Sequence, residues 1–445
     1  MLKKTFFGTD GIRGSVTDGE ISSEFVLKLG VTIGVVLKNY FSEPNVIIGK
    51  DTRSSGDMLE CAIISGLVKT GVNVVCAGRI STPAVAFFTK SMRFSLGIVI
   101  SASHNSFHDN GFKFFDSDGN KLSDFFENEI EKVFNSNISY IKQIKIGKKR
   151  NLVDANGRYV EFCKSSFPAN LSLKNFKILL DSANGAACGL LGLVYRELGS
   201  NVIEVANIPN GENINDGVGS MYPQTLSKLV LKNKADFGVA LDGDGDRFIM
   251  SDKEGRVFNG DELLYAITKE KISKLGVSKV NGVVGTLMTN LGLEKSLLNL
   301  GLEFRRSKVG DKFISEMLRE TGWFLGGESS GHILCLDTHT TGDGIINSLQ
   351  VFSAIINSGL DLDKLISDLV LIPQVLVNVP IEGKKDWKNN VKFIKAQEDV
   401  AADLGGKGRL LVRSSGTEPL LRIMVEAETE NEAKNQANYL SSMLE

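Results

Sequence analysis

From the N-terminus to about residue 365, short β-branched runs alternate with stretches of helical periodicity, and that alternation admits few folds. The runs are NVIIG (45–49), VNVVCAG (72–78), SLGIVIS (95–101), FKILLDS (176–182), DFGVALD (236–242), NGVVGT (281–286) and WFLGG (323–327). Strand, helix and strand in succession predict βαβ units around mixed, largely parallel sheets. Several runs end in glycine or a polar cluster, and α/β proteins bind ligands outside the carboxyl ends of their strands. Polar, glycine-bearing joints at 147–156, 252–261 and 358–368 cut this part into three α/β units. The pattern then changes. LIPQVLVNVPI, a helix over 389–403, the strands GRLLVR and LLRIMVEAE joined by SSGTEP, and a last helix from Asn431 predict a smaller α+β unit. The expected division is 1–155, 156–254, 255–367 and 368–445. No short-period repeat or low-complexity tract is present, although each of the first three units ends at least one strand in a polar loop.

A chain of 445 residues exceeds what one hydrophobic core serves, so a cleft between units is expected. Lys plus Arg number 51 against 53 Asp plus Glu, a formal charge of -2, and no block of like charge offers an arm for nucleic acid or a polybasic membrane patch. A small-molecule substrate is the expectation. Cys61, Cys76, Cys163, Cys188 and Cys335 lie far apart without a CxxC pair and read as reduced core residues. Lys3 and Lys4 precede only Thr5, Phe6 and Phe7 before Gly8, too short for a signal peptide, and no apolar run reaches the ~18 residues of a membrane helix. A cytoplasmic protein is expected.

LDGDGDRF (241–248) is the strongest metal signal: Asp242, Asp244 and Asp246 alternate with glycines directly after an apolar run. Hard oxygen ligands suit Mg2+ or Ca2+. A calcium loop of the EF-hand type fails, since its sixth position is Arg247 instead of glycine and its twelfth Lys253 instead of glutamate. The plain alternative is a solvated acidic turn. GGESSGH (326–332) has the G-x-S-x-G spacing of a hydrolase elbow around Ser329, but the extended HILCLD follows where a helix is required. A ligand loop offering Glu328, Ser330 and His332 fits better. RSSGTEP (413–419) places Arg413, Ser415 and Thr417 in a tight loop whose donors suit a phosphate monoester, against the alternative of an ordinary hairpin. FGTDGIRG (7–14) holds Arg13 and by itself is a structural turn. His104, His108, His332 and His339 all lie in polar contexts, suited to proton transfer or phosphate contact more than to metal. GIVISASHNSFHDNGFKFF (97–115) opens as a buried strand and then delivers Ser101, Ser103, Ser106, two histidines and an Asn110–Gly111 turn that would bring Lys113 back towards the same place. A serine without a base is a poor nucleophile. A serine that carries phosphate supplies about −1.5 to −2 of charge and three acceptor oxygens, enough to complete a cation site on three aspartates.

With GTDGIRG, SASHN, DGDGDR, GESSGH, TTGDG and RSSGTEP in order, the chain resembles the α-D-phosphohexomutase superfamily over nearly its whole length, and most resembles the branch that acts on glucosamine phosphates. The resemblance implies three related α/β domains and a C-terminal phosphate-binding domain around a deep cleft. It matches Ser103 to a phosphoserine, and Asp242, Asp244 and Asp246 to Mg2+ ligands completed by an oxygen of that phosphoserine. Glu328 and Ser330 match a sugar-hydroxyl loop, and Arg413, Ser415 and Thr417 the loop that grips the phosphate not being transferred. Arg13, His104, Lys113, Arg247 and His332 match positions around the migrating phosphoryl group, with Lys113 and His332 the proton carriers. The implied reaction interconverts glucosamine 6-phosphate and glucosamine 1-phosphate through glucosamine 1,6-bisphosphate, feeding UDP-N-acetylglucosamine and cell-wall precursor synthesis; a homodimer is compatible with it. Ser106 and Ser329 depart from the family, which often has Pro and Gln there. The competing readings are a relative acting on mannose and glucose phosphates, a noncatalytic sugar-phosphate or divalent-ion binder, and a serine hydrolase using Ser329.

Overall fold

The computed structural model describes residues 6–136, 145–380, 387–414 and 420–444. Its first three sheets repeat one plan. In the first, Asn45–Lys50 is central, Asn73–Arg79 and Leu96–Ile100 flank it in parallel, and Asp109–Phe115 returns antiparallel beside Leu96–Ile100. The second sheet places Lys177–Asp181, Asn201–Val205, Phe237–Leu241 and Phe248–Asp252 in the same four roles. In the third the roles fall to Gly282–Thr286, Glu303–Ser307, Leu325–Gly327 and Ile333–Cys335. Added strands extend the edges: Ile12–Ser15 and Lys149–Asn151 in the first sheet, Val257–Phe258 in the second. The fourth sheet, Gln374–Pro380, Leu420–Glu426 and Arg409–Ser414, is antiparallel throughout.

The repeat is one of topology, which is why no sequence period reveals it. Its consequence is functional: the turn from third to fourth strand falls at 101–108, 242–247 and 328–332, so SASHN, DGDGDR and ESSGH are equivalent loops on three successive domains. Strands Leu96–Ile100, Phe237–Leu241 and Gly282–Thr286 are buried at every position, as parallel strands covered on both faces must be.

One apolar core runs through the three α/β domains, with Ile47 and Val99 from the first, Leu180 and Phe248 from the second, and Val283, Leu325 and Phe352 from the third. The fourth domain keeps its own core of Val379, Phe393, Leu421, Ile423 and Leu440. Its attachment to the third is polar. Arg409 donates to the carbonyls of Leu287 (2.7 Å) and Thr289 (2.9 Å) and to buried Glu426 (2.9 Å), and Asn290 Nδ2 donates to the carbonyl of Ile372 (2.8 Å).

Three sequence expectations need correction. Cys61 is exposed on the outer face of helix Gly56–Lys69 and Cys188 is half-buried, so not every cysteine is a core residue. Asn110 and Gly111 lie inside strand Asp109–Phe115; the turn precedes them, closed by the Asp109 amide on the Ser106 carbonyl, and Asn110 spends its amide on Ser55 Oγ (2.8 Å). His339 is buried, not polar surface. Its Nδ1 accepts from the Thr340 amide (2.7 Å), which leaves Nε2 to carry the hydrogen towards the Pro83 carbonyl (3.0 Å), and the Phe162 ring packs edge-on at 5.2 Å. It thus ties the third domain to helix Thr82–Ser91 of the first. No described helix is long and apolar enough to cross a membrane.

Burial pushes His339 down to about 4 from its usual 6.5, only partly opposed by the Pro83 bond. Between those values the unfolded chain binds a proton that the folded one excludes, so stability is complete above pH ~6.5 and falls as pH drops towards 4, by about 3 kcal/mol. Urea unfolding from pH 7 to 4.5 should show that loss, and His339→Gln should flatten the slope in this window.

Candidate active site

The serine loop of the first domain and the aspartate loop of the second meet. Ser103 Oγ, fully buried, donates to Asp242 Oδ2 at 2.6 Å, and Asp242 Oδ1 accepts from the Arg247 amide at 3.1 Å. A Cβ on Gly243 would stand 2.6 Å from the Ser103 carbonyl oxygen, so glycine permits the approach of the two loops. Asp242, Asp244 and Asp246 are all buried and bring one carboxylate oxygen each to within 4.8 Å of the others.

Cations meet this charge only in part. Lys113 Nζ lies 2.6 Å from both Asp244 Oδ2 and Asp246 Oδ2, and Thr82 Oγ1 donates to Asp244 Oδ2 at 2.5 Å. Asp244 Oδ1 and Asp246 Oδ1 are buried with no hydrogen-bond partner. Burial, then repulsion from Asp246 and Asp244, pushes Asp242 well above the usual carboxylate range. Asp246 goes the other way: burial would raise it, but Lys113, His332 and Arg247 hold it below. Burial likewise works against the charge on Lys113, and Asp10, Asp244 and Asp246 overcome it. Buried carboxylate oxygens left without donors are hard ligands that fit a divalent cation.

Around this centre runs a chain of charges from the first and third domains. Asp10 pairs with Arg13 and Lys121; Lys121 Nζ reaches Asp311 at 2.6 Å; His332 stands between Asp311 (Nε2, 3.2 Å) and Asp246 (Nδ1, 3.6 Å). Gly342 of TTGDG passes so close beneath His332 that a Cβ would meet Nε2 at 2.4 Å. His104 Nδ1 is 3.3 Å from Ser103 Oγ; burial, then Arg247 and Arg13, brings its pKa down to about 4, so the ring is neutral near pH 7. Arg247 stays charged against burial because Asp246 and Asp242 face it.

Glu328 lies on the equivalent loop of the third domain. Its Oε1 accepts from the Gly310 amide at 3.0 Å, and Ser330 Oγ beside it is buried with no partner. Ser329 is exposed between two strands, with no helix after it. On the fourth domain Arg413 stands directly opposite Arg422. Burial and then that like charge lower Arg413, while Glu328 pulls the other way, so the fourth domain's arginine feels the third domain's carboxylate. Ser415 and Thr417 lie outside the described residues. Ser101 Oγ is spent on Asp51, while Ser106 and His108 are exposed.

The structure therefore brings together Arg13, Ser103, His104, Lys113, Asp242, Asp244, Asp246, Arg247 and His332, with Glu328 and Ser330 on a neighbouring loop. Sequence reasoning missed Asp10, Thr82, Lys121 and Asp311, and the Asp51–Arg53 segment behind the serine. Asp10 sat inside a quoted motif; the others had no local signal, because their partners lie far away in the chain.

Four family profiles match in series: phosphoglucomutase/phosphomannomutase alpha/beta/alpha domain I over residues 4–140, domain II over 157–255, domain III over 259–371, and the C-terminal domain over 376–441. A phosphoglucosamine mutase of Polaromonas naphthalenivorans is 51% identical across 97% of this chain and 97% of its own. That of a Janthinobacterium species is 48% identical across 100% of both. Among solved structures, a phosphoglucomutase/phosphomannomutase family protein from Burkholderia thailandensis shares the fold at a TM-score of 0.82 and 24% identity, over 100% of this chain and 98% of that one. Aspergillus fumigatus N-acetylphosphoglucosamine mutase, solved with GlcNAc-6P and magnesium, does so at 0.68 and 17%, over 99% and 96%.

Asp244→Asn removes one carboxylate from the buried trio. Divalent-cation affinity, read by calorimetry, should fall by more than the ~10- to 100-fold that loss of an outer-shell partner costs.

Proposed function

The chain belongs to the phosphoglucomutase/phosphomannomutase family, and on that premise we infer that it interconverts glucosamine 6-phosphate and glucosamine 1-phosphate through phosphorylated Ser103. The observation that carries this reading is the buried Ser103 Oγ, 2.6 Å from the first of three convergent aspartates.

In the forward direction the bond from Ser103 Oγ to phosphorus breaks as the sugar O1 forms its own bond to that phosphorus. The O1 proton passes to His332, and Ser103 Oγ takes a proton from Lys113, which Asp10, Asp244 and Asp246 keep charged, so that Ser103 is left as a hydroxyl. Glucosamine 1,6-bisphosphate then reverses its ends, its 6-phosphoryl group returns to Ser103, and glucosamine 1-phosphate leaves; the bisphosphate also serves as activator. Asp242, Asp244 and Asp246 would hold one Mg2+, which supplies positive charge beside the phosphoserine and its leaving oxygen. Arg13, Arg247 and neutral His104 line the path of the migrating group and supply charge and hydrogen bonds where negative charge gathers. Glu328 and Ser330 take the sugar hydroxyls, Ser330 with an unspent Oγ. Arg413, with Ser415 and Thr417, grips the phosphate that stays.

The division 1–155, 156–254, 255–367 and 368–445 gives each unit one loop of this reaction, with the edge strand Val257–Phe258 of the second sheet falling just past the second boundary. A separate core and a polar attachment suit a fourth domain that hinges to follow either end of the sugar. The partner is a small phosphosugar, with neither nucleic acid nor membrane required, in the cytoplasm. A homodimer would leave each cleft complete, since every side chain named comes from one chain.

Comparing glucosamine, glucose and mannose phosphates as substrates tests the sugar preference: faster turnover of mannose or glucose phosphate would move the assignment to that branch. Ser103→Ala should keep the fold, lose the phosphate adduct seen by intact-mass spectrometry, and lose turnover by at least about 1,000-fold, as removal of a covalent nucleophile does; undiminished activity would sink the mechanism. Arg413→Ala removes charge-assisted bonds worth roughly 1.5–3 kcal/mol, so substrate affinity should fall about 10- to 150-fold, seen as a raised KM.

A further inference from the structure

Arg53 belongs to none of the motifs that carry the chemistry, yet its side chain is wholly buried and all its donors are spent behind the reactive serine. Nη2 donates to the carbonyls of Ser103 (3.1 Å) and Asn105 (2.8 Å), and Nη1 to those of Ser106 and Asp109 (3.0 Å for the latter). Nε and the Arg53 amide donate to the two oxygens of Asp51, at 2.8 and 2.9 Å. Asp51 Oδ2 also accepts from Ser101 Oγ at 2.6 Å, and Ser101 Oγ accepts from the Ser103 amide at 3.0 Å. A closed ring of hydrogen bonds therefore leaves Ser103 by its amide, passes through Ser101, Asp51 and Arg53, and returns to the Ser103 carbonyl. From the second domain, Asn215 Nδ2 donates to the same Ser103 carbonyl (2.9 Å) and to that of Asn105 (3.0 Å).

The residue inside this ring is in an unusual state. Ser103 has φ +53°, a conformation that side-chain-bearing residues seldom hold without outside support. Direct phosphoryl transfer needs the serine oxygen in line with the phosphorus and the attacking hydroxyl, and small displacements of such a group are felt strongly in rate. A buried guanidinium with four of its bonds on main-chain carbonyls of one loop spends its charge on the shape of that loop.

We propose that Arg53 is a positioning residue for phosphoryl transfer: by pinning the carbonyls of Ser103, Asn105, Ser106 and Asp109, it holds Ser103 in the left-handed conformation that aims Oγ at Asp242. The proposal rests on Ser103 being the phosphoryl carrier. Arg53 does not touch the sugar, so its loss acts on turnover and leaves binding through Glu328 and Arg413 in place.

The test compares Arg53→Lys and Arg53→Ala with the unaltered enzyme in kcat, KM and hydrogen exchange of the 101–109 peptide. The expected result is kcat lower by about 100-fold with KM within about twofold, protection lost only in that peptide, and part of kcat restored to Arg53→Ala, but none to Ser103→Ala, by millimolar guanidinium ion. A kcat within about threefold of the unaltered enzyme overturns the proposal. So does a joint change of kcat and KM with protection lost across the chain and no rescue, which marks Arg53 as a fold-stabilising residue only. If Arg53→Ala does not fold, the Arg53→Lys measurements decide alone. If the unaltered enzyme turns over no phosphosugar, the reading of Ser103 fails by itself, and unchanged exchange in 101–109 on mutating Arg53 still separately overturns its hold on the loop.

Discussion

Three carboxylates within 4.8 Å of one another in a buried site cannot stand alone. At an effective dielectric of about 20, two unit charges at that separation repel by roughly 3 kcal/mol, and together with burial this repulsion pushes Asp242 well above the usual carboxylate range. Much of the surrounding structure answers that repulsion. Lys113 is pulled in from the first domain against its own desolvation, Thr82 donates a hydroxyl, Arg247 curls back along its own loop, and His332 arrives from the third domain. Two carboxylate oxygens still have no donor. A site that keeps unmet negative charge after gathering Lys113 from the first domain and Arg247 from the second is set up for a bound cation and for the phosphoryl chemistry such an ion supports.

The same constraint explains why the α/β domains cannot be independent of one another. Asp10, Lys121 and Asp311 carry the charge balance outward from His332, and Lys312 of the third domain bonds Asp124 (2.7 Å) and Glu127 (2.9 Å) of the first. Alongside this polar seam runs the shared apolar core, which makes the three domains one body. The fourth domain stands apart from it with a separate core, and its link to the third is made of arginine and asparagine bonds to main chain. Aspartate and serine loops locked against each other, beside a separately built fourth domain, suit a reaction in which the transferred group stays put and the sugar must present each end in turn.

Much of this was legible beforehand. Each buried parallel strand betrays itself as an apolar run, because a strand covered on both faces has no polar face to show. The aspartate trio and Ser103 were legible for a different reason, since each sits with its chemistry within a few consecutive residues of a tight loop. Partners separated by hundreds of residues were not. Lys121 meets Asp311 across 190 positions and Thr82 meets Asp244 across 162, and nothing near any of them marks the encounter. The Asn110–Gly111 pair misled because its dipeptide is a turn signal, whereas here Gly111 lets strand Ile12–Ser15 lie close and Asn110 bonds Ser55.

By itself the sequence determined the α/β class with its smaller terminal domain, the carboxylate loop, the serine loop and the likeness to phosphohexomutases, all properties written in short consecutive stretches. Tertiary structure alone decided that SASHN, DGDGDR and ESSGH occupy one equivalent turn on three repeated sheets, that Ser101 Oγ is spent on Asp51, and that the Arg53 guanidinium bonds the main chain of the serine loop. The reason is physical. Local patterning sets which segments form strands and turns, but which side chain is desolvated, and beside which charge, depends on how separate sheets pack.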